Sequence, residues 1–269
     1  MSTAGGAERR ADVGVYGGSG LYTLLDDVDE VVVDTPYGAP ASPVAIGEVA
    51  GRRVAFLPRH GRDHTLPPHG VPYRANAWAM RELGVRAVFG PCASGSLQPD
   101  LHPGDFVVPD QIVDRTAGRP ASFHDGADSP PGVAPVDHLT FADPYDDGLR
   151  AVALAACRAE GVTVHDGGTV VVIEGPRFST RAESRWYAAQ GWQVINMTQM
   201  PEAALAAELG VPYAAIALIT DYDAGLDGAP GIEPVTMDEV MATLARNADR
   251  VRTVLFRAIA HLPDELFAG

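Results

Sequence analysis

The chain has 269 residues, 46% apolar, 20% charged and 7% aromatic, a profile that excludes a disordered, collagen-like or membrane-spanning protein. Twenty basic residues against 35 acidic ones give a formal charge of −15, which argues against nucleic acid or an anionic membrane as a partner. All 20 basic residues are arginine, so Schiff-base chemistry, a phosphate-loop lysine and a lysine base are excluded, and an anionic substrate must be met by a local cluster. Two cysteines, Cys92 and Cys157, are too few for a disulfide framework. Residues 1–11 hold no apolar run of the kind a signal peptide needs, so a cytoplasmic protein with a flexible N-terminal segment is expected.

Strand-length apolar runs alternate with longer helical patterns along the chain. Strands are predicted over Asp12–Tyr16, Val31–Asp34, Val44–Val49, Arg53–Leu57, Arg86–Phe89, Phe106–Val108, Thr169–Ile173, Gln193–Met197 and Tyr213–Thr220. Several are almost continuous apolar runs, the pattern of central strands covered on both faces. Helices are predicted over Tyr73–Leu83, Asp146–Glu160, Thr180–Gln190, Pro201–Leu209 and Met237–Ala260, the last with an apolar stripe at Val240, Leu244, Val251, Leu255 and Ile259. Such alternation makes an α/β fold with a parallel or mixed sheet. No composition break or repeat divides residues 1–269, so one domain is expected. The long irregular stretch Thr116–Asp137 reads as a lid or interface element.

Chemistry-bearing residues gather at strand ends, where open α/β sheets bind ligands. Gly17-Gly18-Ser19-Gly20 reads either as a tight turn or as a loop bringing N–H groups and a hydroxyl to an anion. It has neither the dinucleotide fingerprint nor the GK[ST] of a phosphate loop. Pro58-Arg59-His60-Gly61 offers forked guanidinium donors and an imidazole, or simply a surface pair. His60, His64 and His69 do not share a helical face and Pro67-Pro68 interrupts them, so loop histidines are a better reading than a metal site. Gly90-Pro91-Cys92-Ala93-Ser94-Gly95-Ser96 closes another strand with small residues that permit close approach of a ligand, and lacks the G-x-S-x-G of a nucleophile elbow.

Glu174-Gly175-Pro176-Arg177-Phe178-Ser179-Thr180 reads as a turn into a capped helix, with Phe178 placed to stack on a planar ligand. Met197 and Thr198 follow a strand, as do Asp221 and Asp223. The two aspartates would share one face if the strand continued, and crowding or desolvation would keep one protonated near neutral pH. They read equally as turn formers before Gly225.

The ordered set GGSG, PRHG, CASGSL, EGPRFST-RAES, INMT and TDYD resembles the trimeric purine nucleoside phosphorylase family, in its 5′-methylthioadenosine phosphorylase branch, over nearly the whole chain. The resemblance implies a single α/β domain whose mixed sheet forms a distorted barrel flanked by helices, assembled as a homotrimer or a dimer of trimers. It implies phosphorolysis of 5′-methylthioadenosine to adenine and 5-methylthioribose 1-phosphate, with no metal and no organic cofactor. The alternative within the family is a 6-oxopurine nucleoside phosphorylase acting on inosine, guanosine or methylthioinosine. A metal-dependent hydrolase built on the three histidines and a non-catalytic nucleoside sensor are the rivals outside it.

Carried over position by position, Ser19, Arg59, His60, Cys92, Ala93 and Thr198 would hold phosphate. Met197 would lie against the ribose, Phe178 would stack on the purine, and Ser179, Asp221 and Asp223 would read its edge, with Asp221 and Asp223 catalytic. His138 would reach a neighbour's ligand at its 5′ end, and Met237, Val240 and Met241 would line the 5′ pocket. Close relatives carry threonine where this chain has Cys92, replacing a hydroxyl donor with a poor thiol donor. Cys92→Thr is therefore expected to lower the phosphate concentration needed for half-saturation, read from a phosphate saturation curve; an unchanged curve would reject this role.

Overall fold

A computed structural model describes residues 11–18, 21, 24–25, 27–226, 232 and 235–267. Eleven strands and five helices follow in chain order: β1 (Val13–Gly17), β2 (Asp29–Val31), β3 (Val44–Val49), β4 (Arg52–Pro58), α1 (Tyr73–Glu82), β5 (Ala87–Ser96), β6 (Phe106–Val108) and β7 (Gln111–Arg115). Then come α2 (Asp147–Ala159), β8 (Val164–Asp166), β9 (Thr169–Ile173), α3 (Arg181–Ala189), β10 (Val194–Asn196), α4 (Gln199–Glu208), β11 (Tyr213–Tyr222) and α5 (Met237–Ala260). The expected single α/β domain with a mixed sheet flanked by helices is what forms.

The sheet is organised around β5. Its first residues pair in parallel with β1, its whole length pairs in parallel with β11, and its last residues pair antiparallel with β10. One branch continues through β1, β4, β3 and β2, another through β10, β9 and β7, and a third through β11, β6 and β8. The barrel thus takes the form of a forked sheet, and among the described residues no strand pair joins its branch tips. Because β1, β4, β5 and β11 run parallel, their C-terminal ends share one rim.

Both faces of the sheet are covered. In β11, Ala214, Ile216 and Leu218 point to a core built with Leu149 and Ala153 of α2 and Leu244, Val251 and Leu255 of α5. Tyr213 and Ala215 face the opposite core with Met80 of α1 and Ala203 of α4. Burial on both faces explains why this strand reads as an unbroken apolar run. The stripe on α5 is buried as its spacing predicts.

Several boundaries differ from the sequence-based expectation. The strand expected at Val31–Asp34 sits at Asp29–Val31, because its partner β3 starts at Val44 and the next position back is Pro43, which has no N–H to offer. The segment read as the end of a short strand, from Gly90 to Ser96, is instead the second half of β5, carried through Gly90-Pro91 by its pairing with β11. Helix α4 begins at Gln199 rather than Pro201, with a kink at Met200 and Pro201. Strands β7 and β8 were not expected; each pairs with a single neighbour and is short and largely polar. The stretch Thr116–Asp137 holds only a short 3₁₀ turn, at Gly126–Asp128, but it is anchored by Phe123, buried against Tyr37 and Trp78.

Of the N-terminal segment 1–11, expected to be flexible, residues 1–10 lie outside the described residues. Ala11 departs from that expectation, being buried and donating its N–H to Leu83 O. Among the described residues no helix is long and apolar enough to cross a membrane.

Helix α3 starts with a reciprocal cap. Thr180 Oγ1 accepts the Glu183 N–H at 3.2 Å while Glu183 Oε2 accepts the Thr180 N–H at 2.8 Å. Arg177 doubles on Glu183 through both terminal nitrogens at 2.8 Å, so the turn carrying Phe178 and Ser179 is tied to the helix start. Thr180→Ala should lower stability by about 1 kcal/mol, seen as a lower urea midpoint at unchanged slope.

Candidate active site

One cavity of about 240 Å³ opens at the shared rim, and both Arg59 and Asp221 line it. The end of β4 supplies Arg59 and His60, the second half of β5 supplies Cys92 to Gly95, and the end of β10 supplies Asn196, Met197 and Thr198. Phe178 comes from the turn before α3, Asp221 and Asp223 from the end of β11, and Met237 and Val240 from the first turn of α5. The antiparallel register of β10 on β5 puts Ile195 opposite Gly95, so the chain from Asn196 to Thr198 runs back alongside Cys92.

At one end of the cavity Arg59 is only 1% exposed. Its Nε and Nη2 donate to the two oxygens of Glu202 at 2.6 and 3.1 Å, and Nη1 donates to Pro91 O at 2.9 Å. Tyr213 donates its hydroxyl to the same carboxylate at 3.0 Å. A guanidinium has five N–H groups, so one on each terminal nitrogen is left for an anion. Gly18 allows the loop to lie this close: a Cβ there would meet Nη1 at 2.8 Å. Burial, the largest single influence, would lower the pKa of Arg59, but the charge and hydrogen bond of Glu202 together with Tyr213 and Cys92 raise the value overall, so the group stays charged.

His60 is buried, and its Nδ1 lies 2.9 Å from Leu66 O, which can only accept. Nδ1 therefore carries a proton, and Nε2 is the atom free to meet a ligand. Burial, followed by the nearby Arg59 charge, pushes the His60 pKa down to about 4, so the ring is neutral at pH 7. His64, dismissed from sequence as a loop residue, also lines the cavity and stacks on His60 at 4.6 Å. His69 is exposed. Among the described residues no group of three or more His, Cys, Asp or Glu is arranged to hold a metal ion.

Cys92 is a thiol whose pKa burial raises. Its sulfur accepts from Gln199 Nε2 at 3.1 Å and Asn196 Nδ2 at 3.5 Å, and Tyr145 in turn donates to Gln199 Oε1. Cys157, in α2, packs in the core.

The other end is acidic. Asp221 and Asp223 are both buried, 7% and 2% exposed. Burial is the main cause that lifts the Asp221 pKa to about 6, with Asp223 and Glu239 adding to it against a hydrogen bond from Thr220. Burial raises Asp223 as well. Asp223 Oδ2 and the hydroxyl of Ser179 are buried and make no hydrogen bond of good geometry, although Ser184 and Ser179 stand close enough to Asp223 to oppose the effect of its burial. Ser179 is buried behind the lining rather than part of it.

Of the remaining sequence-based assignments, one lies outside the described residues, one concerns a neighbouring chain and one falls elsewhere. Ser19 lies outside the described residues. His138 sits in the exposed tract 134–140 and does not line this chain's own cavity. Met241 is exposed and also absent from the lining, because it falls on the solvent side of α5 while its neighbour Val240 is buried against the cavity.

Sequence reasoning also missed residues that hold the site together. Glu202 is one. Arg119, from the long stretch before α2, is another: its guanidinium donates to Glu174 O at 2.6 Å, Met200 O at 2.7 Å, Met197 O at 2.8 Å, Tyr73 Oη at 3.0 Å and Glu174 Oε2 at 3.0 Å. One side chain thereby ties together three segments bordering the cavity. A charged side chain in an irregular stretch was the available signal, but nothing local distinguishes it from a solvated arginine.

Removing one partner of a buried pair strands the other charge. Glu202→Ala should cost roughly 3–5 kcal/mol of unfolding free energy in denaturant titration, because the Arg59 guanidinium would lose its bidentate partner. A loss under about 1 kcal/mol, the range of surface pairs, would show that the pair is not the keystone of this end.

Comparison with known proteins places the chain. Residues 12–260 match the family model described as the phosphorylase superfamily. The purine nucleoside phosphorylase of Streptomyces coelicolor is 56% identical over 255 residues, covering 94% of this chain and 90% of that one. The S-methyl-5′-thioadenosine phosphorylase of Mycolicibacterium smegmatis is 53% identical, covering 92% of this chain and 90% of its own length. Among solved structures, methylthioadenosine phosphorylase from Schistosoma mansoni in complex with adenine superposes with a TM-score of 0.87 at 38% identity, covering 93% of this chain and 91% of that one. The chain belongs to the phosphorylase superfamily.

Proposed function

We propose that this protein is a pentosyltransferase that cleaves 5′-methylthioadenosine with phosphate, releasing adenine and 5-methylthioribose 1-phosphate. The observation that carries the reading is the pairing, in one cavity, of an anion-ready arginine with a protonatable buried aspartate. Relatives named as S-methyl-5′-thioadenosine phosphorylases, at 44–53% identity, support the same choice of substrate.

Phosphate would sit against Arg59, His60, the Ala93 amide and Thr198, with its nucleophilic oxygen below C1′. Nε2 of His60 accepts a P–OH proton or, once protonated, donates to a phosphate oxygen. As the glycosidic bond breaks, positive charge on the sugar is met by the bound anion and the electron pair moves onto the purine. Asp221, protonated, gives its proton to N7 and offsets that negative charge. Phe178 stacks on the base. Asp223 Oδ2, the unpartnered acceptor, takes a hydrogen from the 6-amino group, with the Ser179 hydroxyl behind it. A 6-oxopurine would bring a second acceptor to Asp223, which is why adenine is preferred.

Met237 and Val240 give the 5′ end an apolar wall suited to a methylthio group. In a homotrimer the exposed tract with Val136, His138 and Leu139 would pack over a neighbour's 5′ pocket; Val136 is 68% and Leu139 41% exposed in the single chain. The chemistry needs no metal or organic cofactor, and we place the enzyme in the cytoplasm.

Base release from a panel of adenosine, 5′-methylthioadenosine, inosine and methylthioinosine, with and without phosphate, tests the reading. Adenine should be released only with phosphate and fastest from the methylthio substrate; preferential release of hypoxanthine would instead make the enzyme a 6-oxopurine phosphorylase. Asp221→Asn should lower kcat by roughly 10²–10⁴. Because the acid must be protonated and its pKa is raised to about 6, wild-type kcat/KM should fall as pH rises through that value.

A further inference from the structure

In a regular strand, neighbouring side chains point to opposite faces. Thr220 and Asp221 are neighbours in β11, yet both line the cavity. The reason is a register shift against β5: Ile219 pairs with Ser94 and Asp221 with Gly95, so Thr220 is one residue too many. Such a bulge re-aims side chains next to a site. Here it turns the hydroxyl of Thr220 onto the carboxyl beside it, Oγ1 lying 2.6 Å from Asp221 Oδ1.

We propose that Thr220 is a positioning residue for the catalytic acid, its hydroxyl pinning Oδ1 of Asp221 so that Oδ2 is the oxygen that carries the proton to the leaving base. The inference rests on Asp221 being the proton donor in the reaction proposed above. Thr220 Oγ1 has a second acceptor in reach, Ser94 O at 3.3 Å, but only one proton to give. The shorter contact takes it. Oδ2 has no hydrogen bond among the described residues and stands over Gly95, where a Cβ would come within 3.0 Å of it. The bulge thus occupies one oxygen and the missing side chain leaves room for the other.

The surrounding charges sharpen the role. After burial, the carboxylates acting on Asp221 are Asp223, just past the end of its strand, and Glu239 from α5, and both favour the protonated form. Thr220 is the group that favours the carboxylate. In the transfer, phosphate forms the C1′–O bond as C1′–N9 breaks, the electron pair passes to the purine, and the proton moves from Oδ2 to N7. The charge left on Asp221 is then met by the hydroxyl already bonded to Oδ1.

The test compares Thr220→Val, which keeps the shape and removes the donor, with Thr220→Ser, which restores it. Carbon-13 NMR of labelled aspartate carboxyls, with Asp221 assigned through Asp221→Asn, reads the acid without reference to turnover. In Thr220→Val the Asp221 titration should move up by roughly one pH unit, and kcat for 5′-methylthioadenosine should drop about tenfold with KM for phosphate unchanged. The alkaline limb of kcat/KM should move up with the titration, and Thr220→Ser should behave as wild type in all three. An unmoved titration in Thr220→Val, or a Ser variant indistinguishable from the Val one, overturns the proposal. Full turnover by Asp221→Asn would instead remove the donor reading itself, and the titration would still report whether Thr220 holds the carboxyl.

Discussion

The ion pair between Arg59 and Glu202 is the constraint on which the site depends. It joins the end of β4 to α4 across 143 positions of sequence, and through Pro91 O it fastens both to β5. A buried pair of this kind is an expensive way to gain stability, since desolvating two charges offsets most of their attraction. Its value is geometric. With three donors committed to Glu202 and Pro91, the guanidinium cannot rotate, and its remaining N–H groups have a fixed direction. A lysine-free chain of net charge −15 has no diffuse positive field to draw an anion in, so a single immobilised cation and aligned neutral donors must do it.

Much of this was legible in sequence because it is local. Strand ends at Pro58, Asn196 and Tyr222 follow from apolar runs closed by polar or small residues, and the resemblance placed Arg59, Phe178 and Asp221 on a common rim, where the structure has them. What could not be read is what one segment does to another. Glu202 looks like any helix-surface glutamate until α4 is packed on the sheet. Arg119 is one arginine among 20 until its loop folds over Tyr73 and Met197. The bulge at Thr220 arises from the register of β11 on β5, and register is a property of the pair. Met241 fails in the opposite sense: its spacing from Met237 matches the helical period, but the buried face of α5 runs through Val240 and Leu244, leaving Met241 exposed.

In the function proposed above, base recognition rests on a second constraint, desolvation. Two carboxyls two residues apart in a buried site cannot both ionise cheaply, and neither has a cation beside it to settle the matter. The result is a mixed pair: an acid that can donate and an acceptor in Asp223 Oδ2. That combination matches a ring nitrogen beside an exocyclic amine, and it leaves a carbonyl at the same position facing an acceptor. Specificity of this sort is strong because a mismatched base leaves buried polar groups unpaired on both partners.

The two constraints are connected through Glu202. A bare guanidinium in a cavity of about 240 Å³ would pull down the pKa of a carboxyl sharing that space and strip the proton the reaction needs. Glu202 sets a carboxylate against that guanidinium at 2.6 Å, and the groups that shift Asp221 are burial, Thr220 and two carboxylates, with no arginine among them. The directional donors of Arg59 survive this pairing, and its charge still acts on its neighbour His60. When phosphate enters, its negative charge adds to that of Asp223 and Glu239 and further favours the protonated acid. In the proposed reaction the nucleophile would therefore prime the donor at the opposite end of the sugar.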